Sequence, residues 1–160
     1  MLNWVRDCMI VLGVFLLGYL TCHYINPQIK KEVITEASCK DSLTEDCVKL
    51  YLDKHKIKFS HIVYAQAVIE SNHFKSSLSK RNNNIFGMRV AAQRFTFATN
   101  SHDYGNYAKY ESIEECILDY KAWQIQNAFF TTTEAQYYDL LSKHYAEDPN
   151  YINALKKIIK

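Results

Sequence analysis

Glycine is scarce in this chain of 160 residues: of its 4 glycines, Gly13 and Gly18 fall inside an N-terminal apolar run, which leaves Gly87 and Gly105 for the rest. Two isolated glycines build no glycine-rich phosphate cradle. The 6 histidines show no His-x-x-x-His spacing and the 5 cysteines no Cys-x-x-Cys, so no dedicated metal site is expected. Ser101, His102 and Asp103 are neighbours in sequence, whereas the members of a nucleophilic triad are brought together by folding, so they are not read as one. No cofactor is implied. The net charge of +2 comes without a basic stripe, which argues against nucleic acid as a partner. No internal repeat or low-complexity tract is present.

The apolar run extends from Cys8 to Leu20, and the milder stretch to Ile25 brings it close to the roughly 20 residues needed to cross a bilayer. No small-x-small cleavage site follows it, and a lipoprotein-type site would want smaller residues ahead of Cys22. The reading is an uncleaved signal anchor, a transmembrane helix over about 8–25. A buried core helix is the less favoured alternative, because the run has no polar face over this length. Arg6 on one side and Lys30 and Lys31 on the other leave the orientation undecided by charge. The expected organisation is a membrane anchor over 1–25, a polar tether over 26–42 and one domain over 43–160, large enough to bury a core. Cys39 and Cys47 can form a disulfide if the chain is exported to an oxidising compartment, but their spacing alone does not establish the pairing. Cys116 reads as a core residue on an apolar helix face.

Within the domain, Cys47, Val48, Tyr51 and Leu52 fall at helical spacing, and a second helix covers Ile62 to Ile69 after a cap at Ser60. The interval Met88 to Tyr107, rich in Thr, Phe, Asn and Tyr, predicts a short hairpin. Further helices are expected over 112–130, 133–144 and 149–160, with Pro149 near a helix start. The fold class is therefore mostly α with a small β element.

Glu70 closes the apolar stretch Ile62-Val63-Tyr64-Ala65-Gln66-Ala67-Val68-Ile69 and is followed by Ser71 and Asn72. A carboxyl against apolar walls is costly to ionise, so it keeps its proton nearer neutral pH, as a general acid must. The competing reading is a solvated helix end. Tyrosine is abundant, 12 residues beside 8 Phe, and a ring with a hydroxyl matches a sugar's apolar face and polar edge. Most of these tyrosines are expected half-buried between helices.

The motifs Ala65-Gln66-Ala67-Val68-Ile69-Glu70-Ser71, Asn83-Asn84-Ile85-Phe86-Gly87-Met88-Arg89, Tyr107-Ala108-Lys109-Tyr110-Glu111-Ser112 with Leu118-Asp119-Tyr120, and Tyr145-Ala146-Glu147-Asp148-Pro149-Asn150-Tyr151 stand in one order over about residues 44–160. In that order they resemble the glucosaminidase domain of glycoside hydrolase family 73. The resemblance implies a lysozyme-like fold and hydrolysis of the β-1,4 bond of peptidoglycan on the N-acetylglucosamine side, an endo-β-N-acetylglucosaminidase with Glu70 as general acid. It also implies that Asn84 and Phe86 shape the cleft floor, with a turn former and a plain core residue as their respective alternatives, and that Tyr120 and Tyr151 contact or support substrate. Asp119 takes a supporting role, with a buried hydrogen-bond anchor as its alternative. Peptidoglycan lies outside the cytoplasmic membrane, so the domain is expected on the extracytoplasmic face.

This sequence departs from the family pattern at the second acid. The interval Val90 to Tyr107 holds one acid, Asp103, and the residues around it are turn formers, which favours a turn role over a catalytic one. Three routes stay open: Asp103 as base or stabiliser, attack by the substrate's own N-acetyl group, or a water held by tyrosine hydroxyls. Three other functions compete: a lytic transglycosylase on the same fold, a wall-binding or assembly protein without activity, and a phage lysis enzyme held at the membrane.

Overall fold

The helices form where the sequence supplies caps and an apolar stripe, and their packing puts the end of one against the start of another. The structure, a computed structural model, describes residues 38–39, 42–101, 105–145 and 148–160. Cys39 to Lys160 make one compact unit. The apolar N-terminal run lies outside the described residues, and among those described no helix is long and apolar enough to cross a membrane. Asp103 also lies outside them.

Helix α1, Glu45–Lys54, starts at Thr44, whose side chain accepts from the Cys47 amide, and carries Glu45 and Asp46 in its first turn. Those acids oppose the positive end of the helix dipole. Its buried residues Cys47, Val48, Tyr51 and Leu52 are those the spacing singled out. Cys39 and Cys47 are joined by a disulfide, tying the first residue of the unit to α1.

Helix α2, Ser60–Glu70, is the central helix, with Ile62, Val63, Ala65, Gln66, Ala67 and Val68 all buried. Its cap is not Ser60. Phe59 holds that position in a left-handed conformation, φ 53° and ψ 47°, with no side-chain cap. Its carbonyl accepts from Ile62 and Val63 while its ring stacks on Tyr137 at 4.8 Å, so tertiary packing sets the start of the helix.

A short helix absent from the sequence expectations, α3 over Ser77–Asn82, follows a cap at Ser76. The expected hairpin is smaller than its interval. Strand β1, Thr99–Asn100, pairs antiparallel with β2, Ala108–Lys109, in the register Thr99 to Lys109 and Asn100 to Ala108. Helix α4, Ile113–Asn127, is capped by Ser112 and ends three residues before the expected Phe130. Helix α5, Glu134–His144, begins with a capping box between Thr133 and Gln136. Helix α6, Tyr151–Ile159, starts two residues after Pro149. Helix α2 packs against α6 and α1, α1 against α4, and α5 against α6. Among the described residues the fold is mostly helical with one small antiparallel sheet.

Candidate active site

Packing of α2 on α6 brings Glu70, the last residue of one, to Tyr151, the first of the other. The Tyr151 hydroxyl donates to Glu70 Oε1 at 2.8 Å across 81 positions of sequence. Glu70 Oε2 turns toward Gly87: a Cβ built there would lie 3.6 Å from it. Gly87 has a φ of +63°, a conformation that glycine adopts without steric cost. Burial raises the Glu70 pKa, and the hydrogen bond from Tyr151 opposes it without cancelling it. The negative end of the α2 dipole acts in the same direction as burial.

Directly after Glu70 the chain reverses hand. Asn72, His73 and Phe74 all have left-handed φ values, 50°, 54° and 61°. Ser71 locks this turn: its hydroxyl donates to the Ala67 carbonyl and accepts from the Phe74 amide at 2.8 Å, and its carbonyl accepts from Lys75 and Ser76. The Glu-Ser pair thereby acquires a physical reason, since the buried serine ends α2 at the carboxylate.

Glu70 opens into a cleft of about 400 Å³ walled by Phe86, Gly87, Met88, Trp123 and Tyr145, with Arg89, Arg94 and His144 on its borders. Among the described residues, Glu70 is the one carboxylate on this lining. Phe86 lies beneath, its ring 4.3 Å from that of Tyr120, and its carbonyl accepts from the Tyr145 hydroxyl at 2.7 Å. Asn84 is a staple: its amide donates to the Met88 and Ala108 carbonyls at 2.8 and 2.9 Å, and its oxygen accepts from the Met88 amide. It shapes the cleft by fixing the Phe86-Gly87 backbone.

Asp119 and Tyr120 are adjacent but serve different neighbourhoods, being about 100° apart around the helix. Asp119 is fully buried and takes two hydrogen bonds from Arg94 and one from Tyr110, the anchor alternative. Burial opposes its ionisation, yet the hydrogen bonds from Arg94, Thr96 and Tyr110 and the Arg94 charge outweigh that and lower its pKa. Tyr120 has no exposed surface to offer a sugar; its hydroxyl donates to Gln66 at 2.5 Å and it supports the site from below.

Sequence reasoning passed over Gln66, Arg94, Trp123 and Tyr145 as site-building residues. For Gln66 a signal exists: an amide within an otherwise apolar helix must find partners when buried. Arg94 carries none, because its partner depends on the path of an irregular segment.

Residues 47–160 match the family model for glucosaminidase, described as mannosyl-glycoprotein endo-beta-N-acetylglucosaminidase. An N-acetylmuramoyl-L-alanine amidase domain-containing protein of Staphylococcus aureus is 30% identical over 135 residues, 68% of this chain and 22% of that protein. The chain thus spans about a fifth of the length of that curated relative. The catalytic domain of the autolysin Auto from Listeria monocytogenes is 23% identical, with 84% of this chain and 92% of that one covered and a TM-score of 0.49. A C-terminally truncated glycoside hydrolase domain of FlgJ from Salmonella typhimurium is 25% identical, with 70% and 87% covered and a TM-score of 0.46.

Proposed function

Because this chain belongs to the glucosaminidase family, we propose that it is a peptidoglycan hydrolase, an endo-β-N-acetylglucosaminidase in which Glu70 is the general acid. The observation that carries the reading is the Glu70 carboxyl at the cleft wall, its pKa raised by burial and its Oε2 directed toward Gly87. Cleaving a glycosidic bond requires a proton on a poor leaving group while positive charge grows on the sugar ring. A carboxyl that keeps its proton above the usual range supplies that proton. The Oε2–H bond breaks as the bridging oxygen takes the proton, and the carboxylate left behind is held by the Tyr151 hydroxyl.

Three routes complete the reaction beside this acid: Asp103 as base or stabiliser, attack by the substrate's N-acetyl group, or a water held by tyrosine hydroxyls. A lytic transglycosylase on the same fold also needs a single general acid and is the second reading. Mass spectrometry of wall digests separates the two. Hydrolysis gives reducing-end N-acetylglucosamine, and a transglycosylase gives 1,6-anhydro-muramyl ends.

In this reading residues 8–25 anchor the protein in the cytoplasmic membrane with the domain on the extracytoplasmic face. Carbonate extraction should leave the full chain in the membrane fraction, with the domain accessible to protease from outside. Release by carbonate removes the anchor from the account.

A further inference from the structure

Behind Glu70 a line of buried polar side chains crosses the core from α4 to α2 and α6, and its hydrogens all point one way. It begins at Gln124, whose Oε1 accepts from the Lys58 amide at 3.2 Å and whose Nε2 donates to the Lys58 carbonyl at 2.9 Å. A backbone amide donates and a carbonyl accepts, so the Gln124 side chain has one orientation. Its second N–H therefore faces Tyr137, whose hydroxyl lies 2.8 Å away and accepts. The Tyr137 proton then goes to the Tyr120 oxygen at 2.7 Å, and Tyr120 donates in turn to Gln66 Oε1. Gln66 is left presenting Nε2 to the Tyr151 oxygen at 3.3 Å, and Tyr151 donates to Glu70 Oε1.

The opposite polarity fails at Tyr137. If Gln66 turned over, its N–H would face Tyr120, and the Tyr120 proton would face Tyr137. Tyr137, with no exposed surface, would then meet donors from both sides with its own proton unpaired. A buried donor without an acceptor is costly. The turned state would also let Tyr151 donate to Gln66 and accept from Glu70, drawing the acid's proton inward to Oε1.

We propose that Tyr120 is a positioning residue: by donating to Gln66 it commits the Tyr151 proton to Glu70 Oε1 and so keeps the acid's own proton on Oε2, the oxygen facing Gly87. This rests on the reading of Glu70 as the general acid. Among the described residues, the titratable and charged groups around Glu70 are Tyr151 from α6, Tyr145 ahead of it, and Arg89, Arg94 and His144 on the cleft lining. Arg94 is engaged by Asp119, and burial raises the Tyr145 and Tyr151 hydroxyls far above neutral pH. The Tyr120 hydroxyl bonds to Gln66 and Tyr137, neither of which is among these groups.

The test compares Tyr120→Phe with Tyr137→Phe. In Tyr120→Phe, Gln66 is free to turn, Tyr151 donates to Glu70 in part of the population, and that carboxylate loses stabilisation. We expect kcat to fall about two- to tenfold with KM little changed, as when part of the enzyme occupies an incompetent state, and the basic limb of the pH profile to move to higher pH. Tyr151→Phe sets the full size of that displacement, and Tyr120→Phe must fall between it and wild type. Tyr137→Phe removes a hydrogen bond of the same kind but leaves Gln66 as the acceptor for Tyr120, so its limb stays in place. The Glu70 carboxyl stretch, assigned by difference infrared spectra against Glu70→Gln, reports the same titration without turnover. Should Tyr120→Phe fail to fold, Gln66→Glu replaces it: both tyrosines then donate to position 66, and the Glu70 titration moves up further. Coincident titrations in Tyr120→Phe and wild type, or equal displacement in Tyr137→Phe, overturn the proposal. Wild-type turnover in Glu70→Gln overturns the reading of the acid instead, with the infrared result still deciding the polarity.

Discussion

Arg94 closes both terminal nitrogens on Asp119, Nη1 to Oδ1 at 2.7 Å and Nη2 to Oδ2 at 2.9 Å, and so ties the segment after the Phe-Gly motif to α4. The Tyr110 hydroxyl and the Phe97 amide add two more bonds to the same carboxylate, at 2.9 and 3.3 Å. One wall of the cleft hangs on this pair, which touches Glu70 nowhere.

Removing one member strands the other. Asp119→Ala should cost about 3 kcal/mol, the scale for breaking a buried pair, measured by chemical denaturation at neutral pH. The Asp119 pKa is lowered on folding, so its contribution is complete above the unfolded value of about 3.9 and is lost as pH falls through the folded one. The stability gap between wild type and Asp119→Asn should therefore narrow in an acid series below about pH 4.

Glu70 has the opposite sign. Its folded pKa is raised, so its ionisation opposes folding above the unfolded value of about 4.3, and the penalty vanishes below it. Glu70→Gln should raise the melting temperature at neutral pH, with the gain shrinking toward pH 4 in a calorimetric series. The function proposed for this residue is thus maintained against stability.

His73 is exposed and left-handed. A non-glycine residue costs roughly 1–2 kcal/mol there, and glycine gives back part of that gain through unfolded-state entropy. His73→Gly should stabilise the domain by about 0.5–1 kcal/mol, seen as a higher urea midpoint at unchanged slope.

The disulfide between Cys39 and Cys47 closes a short loop, with a sequence separation of 8. Chain-entropy arguments for a loop of that size give about 2.5 kcal/mol. The double variant Cys39→Ala, Cys47→Ala should lose an amount on that scale in denaturant titrations, and a reductant should have the same effect on wild type.

The sequence displays the helices well because their signals are local: the cap at Ser112, the stripe on α1, the apolar run that becomes α2. Phe59 displaces Ser60 as the start of α2 because its ring finds Tyr137, a partner 78 positions away that no local rule contains. The motifs point to Glu70 and Tyr151, but not to the hydrogen bond between them, which depends on how α2 crosses α6. Asp119 and Tyr120 look like one feature in sequence and become two in space. One meets an irregular segment through Arg94 and the other meets Gln66 at the heart of the core. What escapes the sequence is the pairing of polar groups across long separations, and the cleft is built from those pairings.

Glu70→Gln is close in shape to wild type and can still accept from Tyr151, but it has no proton to give. Release of soluble fragments from purified cell walls by this variant, set beside wild type at the same folded concentration, is the most direct measurement of the account. Loss of release by several orders of magnitude with the variant still bound to wall is the predicted result. Release at the wild-type rate contradicts it.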